Sequence, residues 1–109
     1  MPTVELVKGD VCKLFFYLKE EDPFTGQLSS LDLSNVSSIY FRMRREGEST
    51  LSVEGTCPVY SASEGVCYYP FSSVDLSRTG TYKGEVEVVY PYQRITFRDL
   101  VIIVHEELG

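Results

Sequence analysis

Residues 75–90 read Asp75-Leu76-Ser77-Arg78-Thr79-Gly80-Thr81-Tyr82-Lys83-Gly84-Glu85-Val86-Glu87-Val88-Val89-Tyr90, and two patterns overlap in them. From Thr81 to Tyr90 the residues alternate, with Tyr82, Gly84, Val86 and Val88 on one face and Lys83, Glu85 and Glu87 on the other. Period two with one apolar and one charged face is the mark of a strand half in a core and half in water. Just before it a polar loop closes on Gly80, and Tyr82 enters the strand two residues later. That is the spacing of a tyrosine corner, in which the phenol hydrogen-bonds to backbone upstream and fixes a passage between two sheets. The plainer reading is a turn followed by an ordinary half-buried aromatic.

The same alternation recurs on either side. In Cys12–Lys19, Cys12, Leu14, Phe16 and Leu18 are predicted to face a core, with Lys13, Phe15, Tyr17 and Lys19 facing out. In Ser37–Arg45 the inward set is Ile39, Phe41 and Met43 and the outward set Tyr40, Arg42 and Arg44. Gly47, Gly55 and Gly65 punctuate shorter strands predicted at 50–54, 57–60 and 66–71. The turn Pro91-Tyr92-Gln93 leads into 94–98 and 100–105, two final strands forming a hairpin or a bent edge. Between 20 and 35, Asp22-Pro23, Gly26, Ser29-Ser30 and Asp32 predict the longest loop. Apolar residues nowhere repeat at helical spacing for three turns. The expectation is one all-β domain over residues 1–109, an immunoglobulin-like antiparallel β-sandwich of about seven to nine short strands. It differs from antibody domains in two ways: Gly84 stands where their second cysteine follows the corner tyrosine, and the chain has no Trp.

Composition narrows the function more than it names it. With 109 residues, 43% of them hydrophobic, the chain suffices for one real core. Ten Lys and Arg against sixteen Asp and Glu give a net charge of −6, which points away from nucleic acid and from anionic membranes as partners. The opening Met1-Pro2-Thr3-Val4-Glu5 has no signal-peptide character, so a soluble protein made in the cytoplasm is expected. Cys12, Cys57 and Cys67 fit no zinc or redox spacing and are expected as buried free thiols. Pairing of Cys57 with Cys67 across the turn 61–65 is the alternative.

No catalytic apparatus emerges, and no enzyme, metal or cofactor is expected. His105, beside Glu106 and Glu107, is the only imidazole, too few for a metal centre and the only base available to any serine or cysteine nucleophile. The carboxylates of Glu20-Glu21-Asp22 and of Glu85 with Glu87 read as solvated loop and strand face. What remains is surface. Phe15, Tyr17 and Tyr40 fall on outward faces and Tyr90 and Tyr92 bracket a turn, so these five are the candidate interface. Equally open is that the loop 20–35 covers the outer sheet.

The order of these motifs resembles one family, the immunoglobulin-like N-terminal domain of the upper baseplate proteins of phages that infect Gram-positive bacteria. The likeness lies in Cys12-Lys13-Leu14-Phe15-Phe16-Tyr17-Leu18-Lys19-Glu20-Glu21-Asp22, in the Leu31-Asp32-Leu33-Ser34 step into the strand ending at Arg44, in Gly65-Val66-Cys67-Tyr68-Tyr69, and in Gly80–Val88 followed by Ile95-Thr96-Phe97. The family's proteins usually continue into further assembly segments, whereas this sequence ends at Gly109. The resemblance implies a virion structural protein of tail or baseplate, acting by contact with other virion proteins and present as a homo-oligomer or in several symmetric copies. A capsid decoration protein and a carbohydrate-binding or adhesion module are the alternatives.

Overall fold

The computed structural model describes residues 2–108, and among them all regular structure is β. Ten strands follow one another: β1 (Thr3–Val7), β2 (Cys12–Tyr17), β3 (Lys19–Glu21), β4 (Leu28–Ser30), β5 (Ser38–Arg45), β6 (Val53–Thr56), β7 (Val59–Ser61), β8 (Val66–Phe71), β9 (Gly80–Val89) and β10 (Arg94–His105). They form a five-stranded sheet in the order β1-β10-β9-β5-β6, a three-stranded sheet β2-β8-β7 and a separate hairpin β3-β4. The strand number exceeds the expected seven to nine, and the pairing is not wholly antiparallel, because β1 runs parallel to β10.

The two larger sheets share one core. Phe41 of β5 is fully buried, and its ring meets Phe16 of β2 at 5.6 Å and Tyr69 and Phe71 of β8 at 4.9 and 5.6 Å, centroid to centroid. Inward residues follow the predicted alternation: Ile39, Phe41 and Met43 on β5, Tyr82, Val86 and Val88 on β9, and Phe16 on β2, with Leu18 just beyond it, are all buried. Gly84 lies among them, where an added Cβ would sit 3.3–3.4 Å from side-chain atoms of Ile102, Leu100 and Phe41.

Residues 94–105 and 20–35 depart from the sequence reading. Residues 94–105 form one strand because a β-bulge sets Arg98 and Asp99 against the single residue between Val86 and Gly84, with Asp99 in the left-handed region at φ 68°. The bulge shifts the inward register, so Ile95 and Phe97 precede it while Leu100, Ile102 and Val104 follow it. β10 is also no edge strand, since β1 covers its far side. The expected loop 20–35 begins as a hairpin: Asp22 accepts hydrogen bonds from the amides of Phe24 and Thr25, and β3 pairs with β4. Residues 19–29 are all exposed.

At the entry to β9 the Tyr82 hydroxyl donates to the Arg78 carbonyl over 2.6 Å. Arg45 braces the same loop, donating from Nε and Nη2 to the Thr79 carbonyl at 3.0 and 2.8 Å. Gly80 permits that approach, because a Cβ there would lie 2.8 Å from Arg45 Nε. Glu48 then holds Arg78 at 2.5 Å and Arg45 at 3.4 Å, and the Arg78 bond is the first cause of its carboxyl being lowered from the usual range. Tyr82→Phe is expected to lower stability by about 1–2 kcal/mol, because the ring stays buried and only the hydroxyl's bond is lost. A fall in the urea midpoint at unchanged slope is the measurement that checks it.

Candidate interaction surface

The three-stranded sheet turns Lys13, Phe15 and Tyr17 of β2 outward, as the alternation requires. Register sets Phe15 directly opposite Tyr68 of β8, and the two rings lie 5.3 Å apart. Tyr60 of β7, beyond β8, also meets Phe15 at 5.2 Å with the rings at 83°, an edge-to-face contact. Lys13 Nζ lies 5.0 Å from the Tyr68 centroid. These rings remain open to solvent: Phe15 is 36% exposed, Tyr17 68% and Tyr60 69%. The hairpin at 19–30 does not cover them.

The β2 edge extends this surface. Leu18 N donates to Gly65 O over 2.9 Å, just past the Tyr17–Val66 end of the register, so the Leu18 amide points to the β8 side. Alternation then directs the amides and carbonyls of Leu14 and Phe16 to β8 and those of Lys13, Phe15 and Tyr17 away from it. No strand lies on that side, since β2 ends its sheet. Beside the edge runs an open groove of about 400 Å³ lined by Val4, Leu14, Phe16, Leu18, Phe97 and Leu100 among others. An edge with free backbone groups next to an apolar trough suits the addition of an extended segment.

The five candidate aromatics do not form one site. Phe15 and Tyr17 share the three-stranded face. Tyr40 lies on the outer face of the opposite sheet, half-buried under Arg42, whose guanidinium carbon is 5.3 Å from the ring centroid. Tyr92 is 73% exposed in the β9–β10 turn. Tyr90 is not a surface residue at all: it is 6% exposed, its hydroxyl donates to the Asp32 carbonyl over 2.5 Å, and burial pushes its phenol pKa up. The inward parity of Tyr82, Gly84, Val86 and Val88 continues to Tyr90 and was the signal for this. Tyr60 and Tyr68 are the members that sequence reasoning missed, and only the strand register brings them to Phe15.

The remaining reactive groups have structural partners. Arg42 sits among Glu54 at 2.7 Å, Glu87 at 3.4 Å and Glu85 at 3.6 Å, which gives the carboxylates of that strand face a shared structural partner. His105 Nε2 is 2.9 Å from Glu5 of the neighbouring β1, not engaged with Glu106 or Glu107. Cys57 and Cys67 are buried free thiols, and the neighbouring Cys67 thiol, with burial, holds Cys57 above its ordinary pKa. Cys12 is half-buried, and burial followed by Asp10 raises its thiol. Among the described residues no three His, Cys, Asp or Glu side chains gather as metal ligands. Neither a scan against protein-family models nor a search of curated proteins finds a match to the chain.

Proposed function

We propose that this chain is an immunoglobulin-like structural module of a phage particle, a tail or baseplate component that works through protein–protein contacts and carries out no catalysis. The observation that carries the contact role is the exposed set of Phe15, Tyr17 and Tyr60, with half-buried Tyr68 beneath them, beside the free β2 edge. Aromatic rings held rigid on a sheet release much apolar area on docking at little entropic cost. The immunoglobulin-like part has its own support: β5, β9 and β10 adjoin as strands C, F and G do, β2, β8 and β7 as B, E and D do, and the Tyr82–Arg78 bond has the form of the tyrosine corner. The phage assignment rests on the motif resemblance alone.

The exposed hairpin fits the same reading. An isolated two-stranded hairpin is marginally stable in water, yet β3-β4 is exposed at every residue but Ser30, with Phe24 95% exposed in its turn. Seating it on a neighbour would bury that ring. The carbohydrate-binding alternative asks for a flat aromatic platform, whereas Phe15 and Tyr60 stand nearly perpendicular and present an uneven surface.

Light scattering across a concentration series, under reducing conditions, tests the proposal. A defined multimer is expected for the native chain. Tyr17→Ser with Tyr60→Ser is expected to return it to monomer while altering the protomer's own stability by no more than about 0.5 kcal/mol per site, as for other surface positions. A native chain that stays monomeric and binds soluble oligosaccharides through these tyrosines would overturn the reading in favour of the sugar-binding one.

A further inference from the structure

The opposite face of the molecule carries a feature that the contact role does not use. On the outer side of the five-stranded sheet, Arg44 of β5 lies directly across from Lys83 of β9. Like charges facing each other across strands repel and destabilise the pair. Neither Arg44 nor Lys83 is in an ion pair among the described residues, where the ion pairs engage Arg42, Arg45, Arg78, Arg94 and His105 instead. Arg98 makes no ion pair either, and it stands in the β10 bulge next to the left-handed Asp99. Bulges re-aim side chains, and this one adds Arg98 to the same place.

These groups surround one hollow of about 310 Å³, lined by Arg42, Arg44, Lys83 and Arg98 together with Glu85 and Asp99. Arg42 is already held by Glu54 and Glu87 as well as Glu85, so the cations left to the hollow are Arg44, Lys83 and Arg98 against Glu85 and Asp99, an excess of one positive charge. The chain as a whole has a net charge of −6, and a local excess of cations from three different strands is therefore contrary to its own field. Glu46 and Glu48 line the neighbouring hollow with Arg44 and Lys83 but do not pair with them.

We infer that this hollow is an anion site, formed by Arg44, Lys83 and Arg98, for a tetrahedral oxoanion such as a phosphate or sulfate group. A tetrahedral group offers oxygens in three directions, toward guanidinium groups on β5 and β10 and the ammonium on β9, where a planar carboxylate offers two in one plane. Binding relieves the Arg44–Lys83 repulsion. The aromatic face and β2 edge take no part, so the site stands or falls independently of the proposed contact role.

The experiment is an amide-resolved NMR titration of the full chain with inorganic sulfate and, separately, inorganic phosphate, with chloride as a control at matched ionic strength. Saturable shifts are expected on β5, β9 and the β10 bulge, centred on Arg44, Lys83 and Arg98. Loss of one charge-assisted contact in Lys83→Gln or Arg98→Gln is expected to weaken binding about tenfold or more. The spectrum of each variant without added anion reports directly that its fold is kept. Shifts equal in chloride, shifts that rise linearly without saturation, or binding undiminished in the Lys83→Gln, Arg98→Gln double variant would each overturn the site. Acetate binding as tightly as sulfate would overturn the tetrahedral assignment.

Discussion

Gly65→Ala is expected to destabilise the fold by about 3 kcal/mol or more, through left-handed backbone strain together with displaced backbone hydrogen bonds. Gly65 has φ 70°, and a Cβ on it would lie 2.7 Å from the carbonyl oxygens of Leu18 and Leu31 and 2.9 Å from the Leu31 nitrogen. These are backbone atoms of two other segments, so no rotamer change relieves the clash. The same atoms make the junction: Leu18 N donates to Gly65 O, and Leu31 N donates to Leu18 O. Gly47→Ala supplies the comparison, since Gly47 has φ 85° with nothing within 4 Å of its added Cβ. It should cost only the conformational part, about 1 kcal/mol. At about 4–8 °C per kcal/mol for a domain near this size, thermal melts should separate the two variants by about 10 °C or more. Equal melting points would mean that the backbone junction at Gly65 does not bear on stability.

How far the sequence foretold this junction differs by element. The strands of the core were legible because β5, β9 and β2 alternate over six to ten residues with one face in water. In β10 the alternation itself changes parity at Arg98-Asp99, which reads as a break when only local pattern is considered; the structure carries the strand across the change by a bulge. β1 was missed although Val4 and Leu6 alternate with polar neighbours, because five residues are a weak pattern and its partner lies almost a hundred positions away. The hairpin 19–30 has loop composition and no buried face, so hydrophobic patterning has nothing to report there.

The site was legible in part for the same reason. Outward parity identified Phe15 and Tyr17 as surface aromatics. That Tyr60 and Tyr68 join them depends on β2 pairing with β8 in one register and on β7 lying on the far side of β8, neither of which is a local property. Tyr90 went astray because its position beside a turn outweighed the parity of its own strand. The cation cluster was hidden for a different reason: Arg44, Lys83 and Arg98 are ordinary outward residues of three separate strands, and only their meeting makes them unusual.

Phe41 is where the two sheets hold together, and Phe41→Ala is expected to cost about 3–5 kcal/mol, the range for removing a buried aromatic. For a domain of ordinary stability, about 5–15 kcal/mol, that leaves little margin at the low end. The ring contacts both β2 and β8 from β5, so its removal opens space between the two sheets. Gly84 makes a sharper test possible. Its added Cβ would meet Phe41, Ile102 and Leu100 at 3.3–3.4 Å, tight against side-chain ends rather than backbone. Alone, Gly84→Ala should destabilise modestly by crowding the ring. Beside Phe41→Leu, where the ring edge is gone, the same methyl should fit without cost. Urea denaturation of the two single variants and the double should therefore give a favourable coupling of about 1 kcal/mol, within the range for residues in contact. Strict additivity would show that Gly84 is small for a reason other than the seat of the Phe41 ring.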